Sequence, residues 1–387
     1  MLDQSPDAAA HLRALIACRS VTPADGGAQT YLAGVLERAG FRIERLTFSA
    51  PGTPDVGNLF ATIGSGTPHL VFAGHTDVVP PGDETRWLHP PFAGEIADGA
   101  IFGRGAVDMK GGIAAFVAAV LAYRAAAAPK GTLSLLITGD EEGPAINGTV
   151  KLIEWARNGG QHFDAALVGE PTSRARLGDT IKIGRRGSLS GTIIVRGKQG
   201  HVAYPRLADN PIPALVRILA RLTEMGLDEG SPAFQPSNLE IVRLDADSTA
   251  FNVIPGEARA RFNIRFNDRW SPISLNALLR HEIAEVAGTD CEILFEPNPG
   301  ESFLTQPGPL VDLLKDAIKA VTGVAAETST SGGTSDARFF KDVCPVVEFG
   351  PVGDTMHQID EHMPLADLEL LTAIYRGFLD RFFGQAR

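Results

Sequence analysis

The amino-acid sequence comprises 387 residues, of which 44% are hydrophobic and 21% are charged, and its formal net charge is -11 at pH 7. This length favours two domains, and the composition is that of a globular α/β protein, which excludes a disordered or fibrous chain. Because an acidic surface is repelled by nucleic acids and anionic membranes, we expect neither as a partner, although a locally basic pocket can still bind a small acidic substrate.

Signals for secretion, membrane insertion and cysteine chemistry are weak in this sequence. Residues 1–20 lack a basic segment followed by a long apolar run, so we predict no signal peptide and a cytoplasmic protein. The most apolar helical stretch, 112–128, is too short and too mildly hydrophobic to span a bilayer. The cysteines, Cys18, Cys291 and Cys344, are far apart and form no C-x-x-C motif, which predicts packing thiols.

Short apolar runs that end in polar clusters recur along the chain. Such runs, separated by helical stretches, are typical of strands that are buried on both faces of a mainly parallel sheet. Ligands of these sheets bind beyond the carboxyl ends of the strands, which is where the polar clusters fall in this sequence. The runs occupy residues 69–77, 133–142, 165–171 and 345–351.

The sequence pattern changes near residue 184. Residues 210–225 have the apolar periodicity of a helix, and residues 257–267 alternate as a half-exposed strand does, which indicates an antiparallel α+β insertion. We therefore predict an α/β fold in which a catalytic, metal-binding domain with a mainly parallel sheet is interrupted by an inserted α+β domain. The predicted bounds are 1–183 and 297–387 for the first domain and 184–296 for the second.

Histidines and carboxylates are concentrated in the loops after the predicted strands. Singly they are commonplace: a lone loop histidine such as His75 is more often hydrogen-bonded than metal-bound, and Asp108 stands where an N-cap would. Together they suit a borderline divalent metal, above all zinc, and are numerous enough for two ions that share a bridging carboxylate. The candidates are His75, Asp77, Asp108, Glu141, Glu142, Glu170 and His357.

Three consecutive acids, Asp140, Glu141 and Glu142, follow one of the predicted strands. Crowding of like charges is unfavourable unless a cation offsets the repulsion, so one of the two glutamates is expected to bind metal. Its neighbour can stay unligated and accept a proton from water as general base. Asp140 is expected to be a solvated or capping residue.

Eight ordered motifs in this sequence resemble those of one enzyme family. They are GHTDVVPPG, GRGAVDMKGG, TGDEEG, GEPT, GRRGSL, GHVAYP, NVIP and SGGTSDARF. Their combination is similar to the succinyl-diaminopimelate desuccinylases, within the larger group of co-catalytic zinc aminoacylases and carboxypeptidases, and the resemblance runs from about residue 12 to residue 380. The metal motifs alone would indicate only the larger group, whereas IKIGRRGSL and SGGTSDARF point to the desuccinylases.

The resemblance implies a zinc-peptidase-like catalytic domain with two divalent ions per subunit, zinc or, as the alternative, cobalt. Asp108 would bridge both ions, and the bond between Asp108 and Met109 would be cis. The remaining implied ligands are His75 and Glu170 on one ion and Glu142 and His357 on the other.

The resemblance also assigns catalytic and interface roles. Glu141 is the implied general base, and Asp77 is the carboxylate that would fix the tautomer of His75. His201 would reach across a homodimer interface to stabilise the oxyanion of the reaction, which makes the insertion a dimerisation domain. A substrate with several carboxylates needs cations and donors, and the candidates that could contact it are Arg186, Tyr204, Asn252, Arg265, Gly333, Thr334 and Arg338.

The implied reaction is hydrolysis of N-succinyl-LL-2,6-diaminopimelate to succinate and LL-2,6-diaminopimelate, a step toward lysine and the bacterial cell wall. Two alternatives stay open. One is a related amidohydrolase, such as an acetylornithine deacetylase or a dipeptidase, and the other is a non-catalytic binding or scaffold protein. The sequence departs from the family pattern at Asp360, where asparagine is common.

Overall fold

The computed structural model describes residues 7–126, 130–287 and 290–384, which form two compact units. Unit 1 comprises Met1–Ile183, Thr305–Ser329 and Ser335–Arg387, and unit 2 comprises Gly184–Leu304 and Thr330–Thr334. The chain therefore leaves unit 2 after residue 304, whereas the predicted end of the inserted domain is residue 296, and the segment 330–334 was predicted to belong to the other domain. The catalytic and dimerisation roles of the two units stay predictions. Within the described ranges, no helix is both long enough and apolar enough to cross a membrane.

The regular elements of unit 1 precede and follow unit 2 along the chain. Its helices are α1 (Ala8–Ala17), α2 (Ala28–Arg38), α3 (Lys110–Ala126), α4 (Thr149–Asn158), α7 (Pro309–Thr322) and α8 (Leu365–Gly384). Its strands are β1 (Arg42–Phe48), β2 (Val56–Gly64), β3 (His69–His75), β4 (Glu95–Ala97), β5 (Ala100–Phe102), β6 (Thr132–Thr138), β7 (Ala165–Val168), β8 (Thr180–Lys182), β17 (Glu327–Ser329), β18 (Val346–Glu348) and β19 (His362–Pro364).

Unit 2 contains the remaining elements. Its helices are α5 (Pro211–Glu224) and α6 (Pro272–Ala287). Its strands are β9 (Gly184–Arg185), β10 (Gly187–Arg196), β11 (Gly200–His201), β12 (Asn238–Ala246), β13 (Val253–Ile254), β14 (Glu257–Phe266), β15 (Cys291–Phe295) and β16 (Phe303–Leu304).

An eight-stranded sheet in the order β1-β2-β6-β3-β7-β18-β8-β17 forms the centre of unit 1. The four strands β6, β3, β7 and β18 run parallel, whereas β2 and β8 pair antiparallel with their inner neighbours. Strands β3, β6 and β7 are buried along their whole length, which explains why their sequences are continuous apolar runs. The predicted fold class, α/β with a mainly parallel central sheet, is confirmed.

Helix α3 packs into the core of unit 1 and is buried on nearly all sides over its first three turns. Its Phe116 stacks on Phe72 of β3, with ring centroids 3.9 Å apart, and both rings meet Tyr375 of α8 edge-on. Such aromatic pairs contribute about 0.5–1.5 kcal/mol beyond the burial of their surface. Residues 127 and 128 of the predicted helix lie outside the described residues.

Unit 2 has a four-stranded antiparallel sheet in the order β12-β14-β10-β15, covered on one face by α5 and α6. Strand β14 alternates as predicted, with Phe262, Ile264 and Phe266 in the core and Arg259 and Arg261 on the other face. Helix α5 confirms the predicted helix, and it starts where Asn210 accepts a hydrogen bond from the N–H of Ile212 and Pro211 occupies the first turn.

Asp228 organises the segment between α5 and the sheet of unit 2. Its carboxylate accepts hydrogen bonds from the N–H of Gly230 at 2.6 Å, from Asn267 Nδ2 at 2.5 Å and from Trp270 Nε1 at 2.9 Å. Burial by itself would raise the pKa of this carboxyl, but the hydrogen bonds, including one from Ser237, outweigh burial and lower the pKa to about 2.

Replacement of Asp228 by Asn should therefore destabilise unit 2 by about 1–2 kcal/mol at neutral pH, because an amide cannot accept from all of these donors. The folded pKa is below the unfolded value of about 3.9, so the carboxylate stabilises the fold above that pH and the effect is lost as the pH falls toward 2. Urea unfolding of the wild type and Asp228→Asn should thus converge between pH 4 and pH 2. The exposed Asp268, changed to Asn, serves as control. A difference that does not vary with pH would contradict this account.

Candidate metal centre

The parallel strands of unit 1 bring three of the predicted ligand loops to one edge of the sheet. Residue His75 ends β3, where it is in register with Thr138, the last residue of β6. Glu141 and Glu142 follow β6, and Glu170 follows the neighbouring strand β7. Because the carboxyl ends of parallel strands meet at one edge, short loops suffice to bring these side chains together.

Asp108 lies at the middle of the cluster, just before α3. Its Oδ1 is 3.2 Å from Nε2 of His75, and its Oδ2 is 3.2 Å from Nε2 of His357. Glu170 Oε1 is 3.6 Å from the same nitrogen of His75, and Glu142 Oε1 is 2.9 Å from that of His357. The two oxygens of Asp108 therefore face different histidines, as expected of a bridging carboxylate.

The cluster has two halves that share Asp108. The buried half consists of His75, Asp108 and Glu170, and the open half consists of Asp108, Glu142 and His357. In each half one ligand atom per residue lies within 4.8 Å of the others. The side chain of His75 is 1% exposed and that of His357 is 46% exposed, so solvent and small molecules reach the open half more readily.

Glu141 borders both halves. Its Oε2 is 4.0 Å from Nε2 of His75, and with His75 and Glu142 it forms a third group of ligand atoms within 4.8 Å. The distances alone therefore permit either glutamate to bind a cation. The division of roles between Glu141 and Glu142 stays a prediction.

Asp77 differs in part from its predicted role. The nearer acceptor for Nδ1 of His75 is the main-chain oxygen of Asp77, at 2.9 Å, while the carboxylate lies 3.6 Å away. The carboxylate instead accepts hydrogen bonds from the N–H groups of Glu141 at 3.3 Å and Glu142 at 3.1 Å. Asp77 thus fixes the tautomer of His75 mainly through its backbone, and its side chain orients the pair of glutamates.

Asp140, the first of the three consecutive acids, is buried and its carboxylate accepts hydrogen bonds from the N–H groups of Ile146 and Asn147 at 2.9 and 2.8 Å. The expectation of a solvated or capping residue is wrong, since Asp140 is buried and the N-cap residue of α4 is Gly148, with no side-chain cap. Asp140 therefore shapes the loop that carries the two glutamates. Its carboxylate binds main-chain N–H groups further along the loop and not the glutamates themselves.

Glycines beside three of the ligands allow α3 to approach the sheet closely. A Cβ atom on Gly112 would lie 2.1 Å from the main-chain oxygen of Gly169, and one on Gly169 would lie 2.8 Å from the side chain of Met109. A Cβ atom on Gly74 would also meet Met109, at 2.7 Å. Because glycine lacks these Cβ atoms, the start of α3, and with it Asp108, can lie against the ends of β3 and β7. The peptide bond between Asp108 and Met109 is cis, as predicted.

The loop that carries His357 contains two non-glycine residues with left-handed backbones, His357 at φ 61° and Asp360 at φ 58°. Aspartate is one of the side chains that tolerate this conformation best. The carboxylate of Asp360 accepts hydrogen bonds from the N–H groups of Leu88 at 2.8 Å and His89 at 3.3 Å. The side chain at this position therefore anchors the loop that carries His357 to the main chain of residues 88 and 89.

The predicted substrate contacts divide between the units. Arg338 belongs to unit 1, where its guanidinium lies over the ring of Phe339. His201 lies in unit 2. The same unit contains the remaining candidates, Arg186, Tyr204, Asn252, Arg265, Gly333 and Thr334.

Three of the candidates in unit 2 are neighbours on the β11–β13 ribbon. The His201 and Tyr204 rings are 5.8 Å apart, and the main-chain oxygen of Asn252 accepts a hydrogen bond from Val202. Both His201 and Tyr204 are exposed. They therefore form a polar and aromatic group on the surface of unit 2.

A second group in unit 2 contains two arginines. Arg186 Nη1 donates to the side-chain oxygen of Asn238 at 3.0 Å, and Asn238 is the register partner of Arg265 on the neighbouring strand. Arg185, which is buried, donates to the main-chain oxygen of Gly333 at 3.3 Å and so holds the glycine loop.

Residues 71–381 match the family model for peptidase family M20/M25/M40. The chain belongs to this family. It is 57% identical to a succinyl-diaminopimelate desuccinylase of Rhodopseudomonas palustris strain BisA53, over 98% of this chain and 99% of the relative. It is 55% identical to one of Methylobacterium nodulans, over 99% and 98% of the two chains. The predicted family is confirmed.

Solved structures of M20 proteins have the same fold. The metallo-carboxypeptidase Sso-CP2 of Sulfolobus solfataricus superposes with a TM-score of 0.82 at 19% identity, over 96% of this chain and 98% of that one. The YXEP protein of Bacillus subtilis, a dinuclear metal binding peptidase from the M20 family, superposes with a TM-score of 0.70 at 17% identity, over 95% of each chain. At these identities the likeness concerns the fold alone.

The electrostatics of the cluster fit divalent cations. Burial raises the pKa of Glu170 well above its usual range, and the nearby carboxylate of Asp108 adds to this effect. Burial likewise raises the pKa of Glu141, with His75 opposing and neighbouring carboxylates reinforcing the shift. Hydrogen bonds to Asp108 and Glu142 raise the pKa of His357 to about 10. The protein fold therefore concentrates more negative charge than its own histidines balance, and the donor set of imidazoles and carboxylates suits metal ions of the zinc type.

Sequence reasoning missed two acids around the centre. Asp336 is buried, accepts a hydrogen bond from Thr149 Oγ1 at 2.6 Å, and contributes repulsion to Glu141. Burial raises its pKa to about 6. Glu361 is fully buried beside the loop of Asp108. Asp336 stands in the motif SGGTSDARF and Glu361 follows Asp360, but burial of a single acid leaves no periodic pattern in a sequence.

Metal binding should release protons. The pKa values of Glu141, Glu170 and His357 are all raised, and a bound cation favours the deprotonated form of each. Affinity for Zn²⁺ or Co²⁺ should consequently rise with pH, by about tenfold per pH unit for each proton released. Calorimetric titration of the metal-free protein in two buffers with different heats of ionisation measures that number. Heats that are identical in both buffers would contradict the prediction.

Proposed function

We propose that this protein is a metal-dependent amide hydrolase that converts N-succinyl-LL-2,6-diaminopimelate and water to succinate and LL-2,6-diaminopimelate, in the formation of lysine and cell-wall precursors. The observation that carries the reaction class is the placement of Asp108 between two histidine–carboxylate groups beside Glu141. The substrate follows from relatives of the same length, 55–57% identical, that are named for this activity. A cytoplasmic location stays a prediction.

Two divalent ions would occupy the centre, zinc in both positions or cobalt in its place. His75, Asp108 and Glu170 would hold one ion, and Asp108, Glu142 and His357 would hold the other, in keeping with the groups of ligand atoms described above. When bound, such ions polarise the amide carbonyl and lower the pKa of a water toward neutrality.

The residues of the chain then perform the proton transfers. Glu141 accepts a proton from a water molecule while the water oxygen adds to the carbonyl carbon of the amide. Glu141 then donates that proton to the amide nitrogen as the C–N bond breaks. Burial raises the pKa of its carboxyl and so strengthens Glu141 as a proton acceptor. Asp77 keeps Glu141 in place through the main-chain hydrogen bond.

Recognition of the substrate would rest on its charge. Its carboxylates are matched by the guanidinium groups of Arg186, Arg265 and Arg338, which bind planar anions with two parallel hydrogen bonds. The other proposed contacts are donors or close backbone approaches: Tyr204, Asn252, Gly333 and Thr334. The acidic net charge of the whole chain does not prevent this, because the arginines supply the field locally.

We propose further that the protein acts as a homodimer through unit 2 and that His201 of one subunit donates a hydrogen bond to the oxyanion in the other subunit. Strand β12 is an edge strand of the sheet, and its side chains Val242 and Leu244 are 64% and 61% exposed. Phe251, a few residues further on, is fully exposed. An edge strand with exposed apolar side chains is a surface that proteins normally cover.

The reaction is tested by assaying the zinc-loaded protein on N-succinyl-LL-diaminopimelate beside N-acetylornithine. The succinyl compound should be cleaved, and Glu141→Ala should lower the rate about 10²- to 10⁴-fold because it removes the general base. Metal content of the variant, measured by atomic emission, should be unchanged. Cleavage of acetylornithine alone would identify a deacetylase, and a fully active variant would remove Glu141 from the mechanism.

The dimer is tested by Leu244→Asp, which places a charge on the exposed apolar edge of β12. The variant should elute as a monomer in size-exclusion chromatography with light scattering, bind metal as the wild type does, and turn over about 10²-fold more slowly, since a donor to the oxyanion is lost. Ile273→Asp is the matched control, because Ile273 is an equally apolar, exposed residue of unit 2 on α6. A dimeric or fully active Leu244→Asp protein would argue against this interface.

A further inference from the structure

A buried ion pair joins the two loops that supply Asp108 and His357. Arg104 Nη1 is 2.7 Å from Oε2 of Glu361, and the two side chains are 3% and 0% exposed. Arg104 belongs to the glycine-rich loop before α3, and Glu361 belongs to the loop between β18 and β19. These loops are far apart in sequence, so the pair is a long-range connection.

The carboxylate of Glu361 accepts several hydrogen bonds from the main chain of the glycine-rich loop before α3. Its Oε2 also accepts a hydrogen bond from the N–H of Gly105 at 3.0 Å. Its Oε1 accepts from the N–H groups of Val107 at 2.9 Å and Asp108 at 3.2 Å. One buried carboxylate therefore fixes the main chain up to and including Asp108.

Arg104 completes the connection on the other side. Its Nη2 donates to the main-chain oxygen of His357 at 3.3 Å, and the N–H of Gly103 donates to the main-chain oxygen of Glu361 at 2.8 Å. His357 has a left-handed backbone, which a non-glycine residue keeps only where its surroundings hold it. The guanidinium thus reaches both the carboxylate that fixes Asp108 and the backbone of His357.

We propose that Arg104 and Glu361 are positioning residues that set the separation of Asp108 and His357 and thereby the affinity of the open half for its metal ion. The inference rests on the proposed dinuclear function. Neither side chain belongs to the cluster of ligand atoms, so both act through residues that do. Partners of this kind typically change metal affinity 10- to 100-fold when they are removed.

A buried ion pair is a weak device for stability, because the cost of removing two charges from water offsets much of their attraction. Its value here is geometric. The planar guanidinium donates in two directions at fixed angles, toward Glu361 and toward His357. A lysine ammonium could remain paired with Glu361 but lacks the rigid fork that reaches the second acceptor.

The test is a titration of metal-free protein with Co²⁺, followed by calorimetry and by visible absorption, for the wild type, Arg104→Lys and Glu361→Gln. His357→Ala supplies the reference spectrum of a protein that retains only the ion of the buried half. In Arg104→Lys the ion of the open half should bind at least tenfold more weakly and the other ion within threefold of the wild type. The spectrum at one equivalent should match that of His357→Ala.

Glu361→Gln should weaken the same ion at least as much, since an amide presents its NH₂ group to donors that need an acceptor. Glu282→Gln is the matched control, because Glu282 is a largely buried glutamate paired with Arg221 at 2.6 Å in unit 2. It should titrate as the wild type does. Circular dichroism of the metal-free proteins shows whether each variant is folded. If Glu361→Gln is unfolded, the titration of Arg104→Lys alone tests the positioning role.

Each remaining outcome counts against the proposal. Unchanged affinity for both ions in Arg104→Lys, or an equal loss of both, would show that the pair does not position the open half in particular. The same loss in Glu282→Gln would indicate a general effect on the fold. A wild type that binds fewer than two ions would overturn the dinuclear function and this inference together, whereas two ions bound as tightly by Arg104→Lys and Glu361→Gln as by the wild type would overturn the inference alone.

Discussion

The structure depends on the crowding of buried acids around two histidines. Burial of these carboxylates and repulsion between them both favour the protonated forms, and the pKa values of Glu141 and Glu170 are raised as a result. A fold tolerates this only if something positive compensates. The family, the groups of ligand atoms and the oxygen atoms of Asp108 that face both histidines all agree with cations in that role.

The surrounding fold can be understood as the means of assembling that charge. Parallel strands deliver His75, the two glutamates and Glu170 to one edge, and glycines beside them let α3 bring Asp108 close. Hydrogen bonds from the main chain to Asp77 and Asp140 then shape the loop between β6 and α4. Acids that do not face the centre therefore organise those that do.

Much of the fold and of the ligand set could be predicted from the sequence, because repeating apolar patterns and the spacing of motifs indicate them. Continuous apolar runs marked β3, β6 and β7, apolar periodicity marked α5, and the ordered motifs marked the family. What could not be predicted involves single contacts between distant segments. The acceptor for His75 is a backbone atom, Glu361 pairs with Arg104 across the unit, and the return of residues 330–334 to unit 2 has no periodic signature.

The order of the proposed ligands along the chain has a consequence for biosynthesis. His75, Asp108 and Glu170 of the buried half, and the strands β3, β6 and β7 around them, are all encoded before unit 2, whereas His357 comes after it. A nascent chain emerging from the ribosome thus carries these three side chains before the last histidine is synthesised. The carboxylate of Glu361 that fixes the main chain of Asp108, and the ring of Tyr375 that packs on Phe72 of β3, come later still. The buried half is therefore expected to reach its final geometry only after the C-terminal part of unit 1 has been synthesised.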